Sequence, residues 1–365
     1  MINNINQTYE NISTFLKDLE KDNQYTFYPS SSGVTEYGKK LNLGFSTFGL
    51  KIRYMLGDLS TLGYENTQNW AEYICSFQTK QENHPSNYFI DEALIDFYAD
   101  GGAKEFVKDK IKNLLNTTIG KNFDTFSNKL NKALNAETKQ AISTLHQIGF
   151  ENYEPIEPPY TKDQLFLYLK SLNWMYPWSA GAQFSSMCVY TTTEKLDYEE
   201  ILVKFINQIA DKETGSYFST KPNHPREIIN GAMKVLSGLD WIDEEIHYPE
   251  ALIDFCLNNS PISEGCDIVD FIYVLFRCSQ QSPYKKKEIN NKLLSISDDI
   301  EKLYFRDIGG FSYFPNKSQT HYYGVDITDG SNVPDVHGTT LSLWALNMIL
   351  KNNELLDNKY NIIKP

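Results

Sequence analysis

The chain is poor in several features that mark whole classes of protein. It has no cationic excess: 34 Lys and Arg against 47 Asp and Glu give a formal charge of -13, and no Lys/Arg stripe offsets it. A polyanionic backbone finds no complementary surface there, which excludes nucleic acid as a partner. The five cysteines (Cys75, Cys188, Cys256, Cys266, Cys278) are odd in number, include no CxxC pair and lie mostly in apolar runs. That pattern argues against a disulfide framework and for a reducing, cytoplasmic setting. No apolar stretch reaches the roughly 20 residues of a membrane-spanning helix, and Met1 to Gln7 lacks the basic-then-apolar order of a secretory leader. Phosphate-binding Gly-rich loops, a GxSxG elbow, HExxH and a dinucleotide fingerprint are all missing. His84, His146, His224, His247 and His321 share no ligand-like spacing, and strand-like alternation is scarce.

What the chain does have is length for a substantial core and an aromatic content of 14%, including 24 Tyr, which suits pockets lined by rings with polar tips. Helical spacing runs from Tyr9 to Leu19, from Phe45 to Leu56 and from Asn69 to Gln78. An amphipathic helix, a polar turn and Tyr-Phe recur at Trp70–Phe89, Leu202–Phe218 and Ile300–Phe314, which is the mark of an internal repeat. Between these units stand apolar helices that start with small or polar residues, near Trp178, Asn230, Glu264 and Asp335. The Pro-rich segment 151–160 is too short to divide the chain, so residues 1–365 read as one all-α domain.

Polar residues at the starts of buried helices are the natural candidates for a site. Asp335 precedes His337 at one such start, where the backbone amides favour a neutral imidazole able to serve as base or metal ligand. A cap with a structural histidine explains the same residues. Glu264, Asp267 and Asp270 lie at helical spacing beside an apolar run, a costly arrangement unless a pocket or cation accompanies it. Cys266 adds a thiol that is equally at home as a small core residue. Asn230 and Lys234 lie four apart on one helix, and Trp178, Tyr322 and Tyr323 are candidate walls.

The alternation of outer and inner helices, with its helix, Gly-containing turn and aromatic unit, resembles the α/α-toroid superfamily of terpenoid cyclases and protein prenyltransferase β subunits. Glu264-Gly265-Cys266 is similar to the Asp-Gly-Cys of the prenyltransferases, and Asp335-Val336-His337 to their Asp-x-x-His, with Glu in place of Asp and the His one residue out of register. The resemblance implies a toroid with a central cavity and a zinc site at Glu264, Cys266 and His337. The cofactor stays open between Zn, Mg and none. Asp267-Ile268-Val269-Asp270 departs from the Asp-x-Asp-Asp of protonation-initiated cyclases. Segments 229–234 and 335–339 also resemble bacterial toroid proteins linked to surface-polysaccharide genes.

The expected protein is therefore a toroid enzyme of the cyclase or prenyltransferase kind. His337, Asp335, Asp267, Asp270 and Tyr323 are its candidate catalytic groups, and Trp178, Asn230, Lys234 and Tyr322 its candidate substrate contacts. Two alternatives stand beside it: a lyase, hydrolase or epimerase acting on a glycan, and a toroid that binds a ligand or partner without catalysis. Substrate and oligomeric state stay open.

Overall fold

A computed structural model describes residues 4–79, 86–100, 125–158 and 160–365; His84 and part of the Trp70–Phe89 unit lie outside the described residues. The first elements are α1 (Ile5–Asp18), α2 (Glu36–Lys40), α3 (Leu43–Met55), α4 (Leu59–Leu62) and α5 (Tyr64–Cys75). After the two-residue strands β1 (Gln78–Thr79) and β2 (Tyr88–Phe89) come α6 (Glu92–Asp100), α7 (Phe126–Gln147), α8 (Lys162–Ser171) and α9 (Pro177–Thr193). Then follow α10 (Glu199–Ile209), α11 (Pro225–Trp241), α12 (Pro249–Leu257), α13 (Gly265–Gln281) and α14 (Lys286–Glu301). The hairpin β3 (His321–Tyr322) with β4 (Val325–Asp326) precedes the last helix, α15 (Val336–Asn352). The protein is thus mostly helical, and no helix of the described residues is long and apolar enough to cross a membrane.

Among the described residues six helices form the interior: α3, α7, α9, α11, α13 and α15. Each packs on the next in this order, and α15 packs back on α3, so the succession of contacts closes. Their sequences explain the burial. In α15, residues on every face are buried, from Val336 and Leu343 to Trp344 and Leu350. Amphipathic helices lie against this set: α5 on α3, α10 on α8 and α9, α12 on α13, and α14 on α13 and α15. The hydroxyl of Tyr9 on α1 donates to Asn347 Oδ1 of α15 at 2.5 Å. Pro177, Pro225 and Pro249 open three helices, where a missing amide hydrogen costs nothing because no helical carbonyl would have received it. Because Pro225 already starts α11, Asn230 lies inside that helix rather than at its start.

The repeat has a sharper form than its sequence suggests. Glu20 pairs with Phe27, Ala210 with Tyr217 and Tyr304 with Phe311, each pair seven residues apart, and all three aromatics are fully buried. The backbone bonds repeat as well: Tyr28, Phe218 and Ser312 donate to the carbonyls of Leu19, Ile209 and Leu303. The copy after α1 does not carry the Tyr-Phe pair, and in the copy after α14 the equivalent ring is Phe311, two residues before Tyr313. A further equivalence joins distant segments. Thr138 Oγ1 accepts from the amide of Phe89, and Thr339 Oγ1 accepts from the amide of Phe311. Thr138 is in the fourth turn of α7, whereas Thr339 is in the first turn of α15, so α7 extends about two to three turns further at its start.

Candidate functional site

Cations from three interior helices gather near one end of α15. Lys51 stands in the mostly apolar α3, and burial lowers its pKa to about 8. Lys139 on α7 is pushed down to about 7, by burial first and then by repulsion from Lys234 and Lys51; its ammonium donates to Ser185 Oγ of α9 at 2.9 Å. Lys234 on α11 passes close to α9 because Gly181 has no side chain: a Cβ there would lie 3.0 Å from Lys234 Cβ. His337 completes the group. Burial, then Lys51 and Lys234, lower its pKa to about 3, so the ring is a neutral imidazole through the physiological range. Its ring stacks on Phe48 with centroids 4.4 Å apart, and Nδ1 is 3.0 Å from Gln319 Oε1. His337, Lys139 and Lys234 are each ringed by protein yet keep some accessible surface, so the region they border, here called the recess, is not sealed core.

Acids and phenols border the same region. Glu137, on α7, is 1% exposed, and neither carboxylate oxygen has a hydrogen-bond partner of normal geometry among the described residues. Burial, and then the Asp91 charge, raise its pKa well above the ordinary 4.5 against the opposing Tyr322 phenol, which favours the neutral acid. The Tyr322 phenol beside it is buried, lies close enough to the acid for a weak hydrogen bond, and makes no other bond of normal geometry among the described residues. Tyr322 can approach because Gly44 lies beneath it: a Cβ there would come within 2.3 Å of its hydroxyl oxygen. Tyr323 sits at the β3–β4 turn with φ of +46°, a left-handed conformation that costs a bulky residue free energy, and its carbonyl accepts from the Tyr98 hydroxyl at 2.8 Å. Tyr323 lies within electrostatic reach of both Glu137 and Cys266, which brings the α7 acid and the start of α13 to one phenol.

On α13, Asp270 is buried 3.9 Å from Lys234 Nζ, and its other oxygen has no partner. Burial raises its pKa to about 6 against the opposing pull of Lys234. Asp267, one turn earlier, is already engaged: its Oδ1 accepts from Arg226 Nε at 2.7 Å and from Asn230 Nδ2 at 2.6 Å. Asn230 and Asp267 therefore tie α11 to α13.

Asp335 has a structural task that occupies both oxygens. It is 1% exposed and accepts from the amides of Gly338 (2.7 Å), Tyr313 (2.7 Å) and Gln319 (3.0 Å), which caps α15 and fixes the two loops around His337. The expected zinc ligands do not converge. Among the described residues no group of three His, Cys, Asp or Glu side chains is placed to hold a metal ion. The Tyr313 hydroxyl, 3.1 Å from Cys266 Sγ, contacts the sulfur, burial pushes that thiol up to about 11, and the Tyr313 ring also packs against His337. Glu264, Cys266 and His337 are therefore not placed together as the metal set that the resemblance implies.

Trp178 lies elsewhere, in a trough at the start of α9, with the Arg226 guanidinium 5.3 Å from its ring centroid. Lys51, Glu137 and Lys139 escape a reading based on helix starts because all three are mid-helix. The signal for Lys51 was a lone lysine in the run Leu43–Met55; for Glu137 and Lys139 it was weaker, since α7 carries many polar residues.

No family model, curated protein or solved structure matches the chain.

Proposed function

We propose that the closed succession of six interior helices is an α/α toroid, and that the recess among them is the active site of a cyclase-like enzyme performing acid–base chemistry on a small anionic substrate. The observation that carries this reading is the set of Lys51, Lys139 and Lys234 around a neutral His337, with a protonated Glu137 nearby. Buried lysines that repel one another are costly in an empty recess, and an anionic group bound among them offsets that cost. Phe48, Tyr313, Tyr322 and Tyr323 supply ring surface for an apolar or cationic portion of the substrate. A prenyl diphosphate has both parts.

In this reading the lysines bind and orient the anion, and Glu137 is the acid. Its proton moves from a carboxyl oxygen to an alkene carbon of the substrate, leaving a carboxylate and a carbocation. A neighbouring substrate carbon then loses a proton to the neutral His337, and a new C=C bond forms. One proton enters and one leaves, so the product is an isomer of the substrate, and solvent exchange restores Glu137 and the base. Asp270 holds Lys234 in place.

The test is incubation of the protein with geranyl, farnesyl and geranylgeranyl diphosphates in deuterated water, with product analysis by mass spectrometry. Isomerised or cyclised product carrying solvent deuterium, lost in Glu137→Gln, is the expected result. Unchanged substrate with all three contradicts the prenyl assignment, and full activity in Glu137→Gln contradicts the role of the acid.

A further inference from the structure

A trough separate from the lysine recess runs along the first half of α7, the end of α8 and the start of α9. Two concavities of about 580 and 400 Å³ share Lys132, Leu172 and Gln183 and so form one continuous depression. That size suits a ligand of several rings. Its walls have an unusual composition. Five side-chain amides line it, from Asn128, Asn131, Asn135, Asn173 and Gln183. Between them stand aromatic rings: Tyr88, Tyr160 and Tyr168 on one side, Tyr176 and Trp178 on the other.

Two of these amides, Asn135 and Gln183, are oriented before any ligand arrives. Gln183 Oε1 accepts from Asn135 Nδ2 at 2.9 Å, and Asn135 Oδ1 accepts from the Tyr190 hydroxyl at 2.7 Å. The Gln183 amide nitrogen is thereby turned away from Asn135 as a donor. Tyr160 and Tyr168 stack with centroids 3.8 Å apart, forming a rigid two-ring ledge, while Tyr176 is 60% exposed. Charge is nearly balanced: Lys132 and Glu227 are the only ionisable Lys, Arg, Asp or Glu residues among the described walls, and Glu227 Oε1 is held by the backbone amide of Trp178 at 2.9 Å.

We infer that this trough binds a neutral oligosaccharide. Side-chain amides donate and accept in the same plane, as a sugar hydroxyl requires, and ring faces match the C–H surface of a pyranose. A polyanion or polycation would find almost no opposite charge. An extended peptide would need a free strand edge for its backbone, and apart from Tyr88 of the two-residue β2, already paired with β1, the described walls are helices and loops. The inference does not depend on the chemistry of the recess: none of Lys51, Glu137, Lys139, Lys234 or His337 lines the trough.

The experiment is saturation-transfer NMR and calorimetry on the full chain with maltohexaose, cellohexaose, xylohexaose and chitohexaose, beside an acidic oligogalacturonate and a mixed peptide library. At least one neutral sugar is expected to bind. Trp178→Ala and Gln183→Ala should each weaken it by about tenfold, which is the loss of a central contact, and Lys51→Met should leave it unchanged. The two variants alter different walls, so if one fails to fold the other carries the test. Silence across the neutral panel, binding insensitive to the substitutions, or tighter binding of the acidic sugar or of peptides would overturn the inference.

Discussion

Lys234 Nζ stands 3.9 Å from Asp270 Oδ1, across the contact between α11 and α13, while the second oxygen of that carboxylate is buried without a partner. The lysine lowers the cost of ionising the acid, but burial outweighs it and leaves the Asp270 pKa at about 6, above its ordinary 3.8. The folded chain therefore binds more protons than the unfolded one between these values, and the Asp270 contribution to stability is lost as pH rises from 3.8 to about 6. Asp270→Asn should flatten that part of the profile, so the variant gains on the parent protein as pH rises. Urea unfolding of both proteins across this range measures it; parallel profiles would contradict the assignment.

Lys139 gives the opposite slope. Its folded pKa of about 7 lies below the ordinary 10.5, so the unfolded chain binds more protons between them and stability rises with pH over that window. Lys139→Met removes the buried cation and should be more stable than the parent at pH 7, with a melting temperature higher by about 2 °C. Calorimetric melting at pH 7 and at pH 10 reads the change, and the advantage should shrink at the higher pH.

Asp335→Ala should destabilise the protein by roughly 3 kcal/mol, because it removes a helix cap and leaves buried amides without an acceptor. Asp335→Asn keeps an acceptor and should recover part of the loss. Urea unfolding distinguishes this from a purely catalytic aspartate, whose replacement would leave stability nearly unchanged.

Gly265 has φ of +43°, and a Cβ there would lie 2.2 Å from the Tyr313 ring. Gly265→Ala should cost about 2 kcal/mol through backbone conformation and the displaced ring. Because Tyr313 touches both Cys266 and His337, the variant should also shift the His337 imidazole signals in NMR. An unchanged spectrum would show that Tyr313 does not link the two.

Much of the fold was legible because burial leaves a periodic trace. Asp335 as cap and the apolar run after it, and Glu264 at the start of α13, stand where the sequence places them. The repeat was visible but misregistered, since Tyr-Phe is a by-product of a turn whose invariant feature is a bridge seven residues long, ending at Phe27, Tyr217 and Phe311. The site was less legible. Asp267 is chemically eligible but already engaged by Arg226 and Asn230, and no spacing rule reveals a partner on another helix. Glu137 was hidden because α7 starts well before the level at which α15 begins, which leaves its buried acid in the middle of the helix. The lysines matter only once Lys51, Lys139 and Lys234 are brought together from three helices, a relationship that exists in space alone.

The central claim is that these lysines form a binding site for an anion. Isothermal titration with inorganic diphosphate near pH 8, in two buffers of different ionisation enthalpy, tests it most directly. A bound anion raises the pKa values of Lys139 and Lys51, so binding should take up close to one proton per chain, by an order-of-magnitude argument from linkage. Lys234→Met should weaken binding, and Lys139→Met should remove most of the uptake. Absence of binding, or binding with no proton uptake that both variants leave intact, would contradict the account.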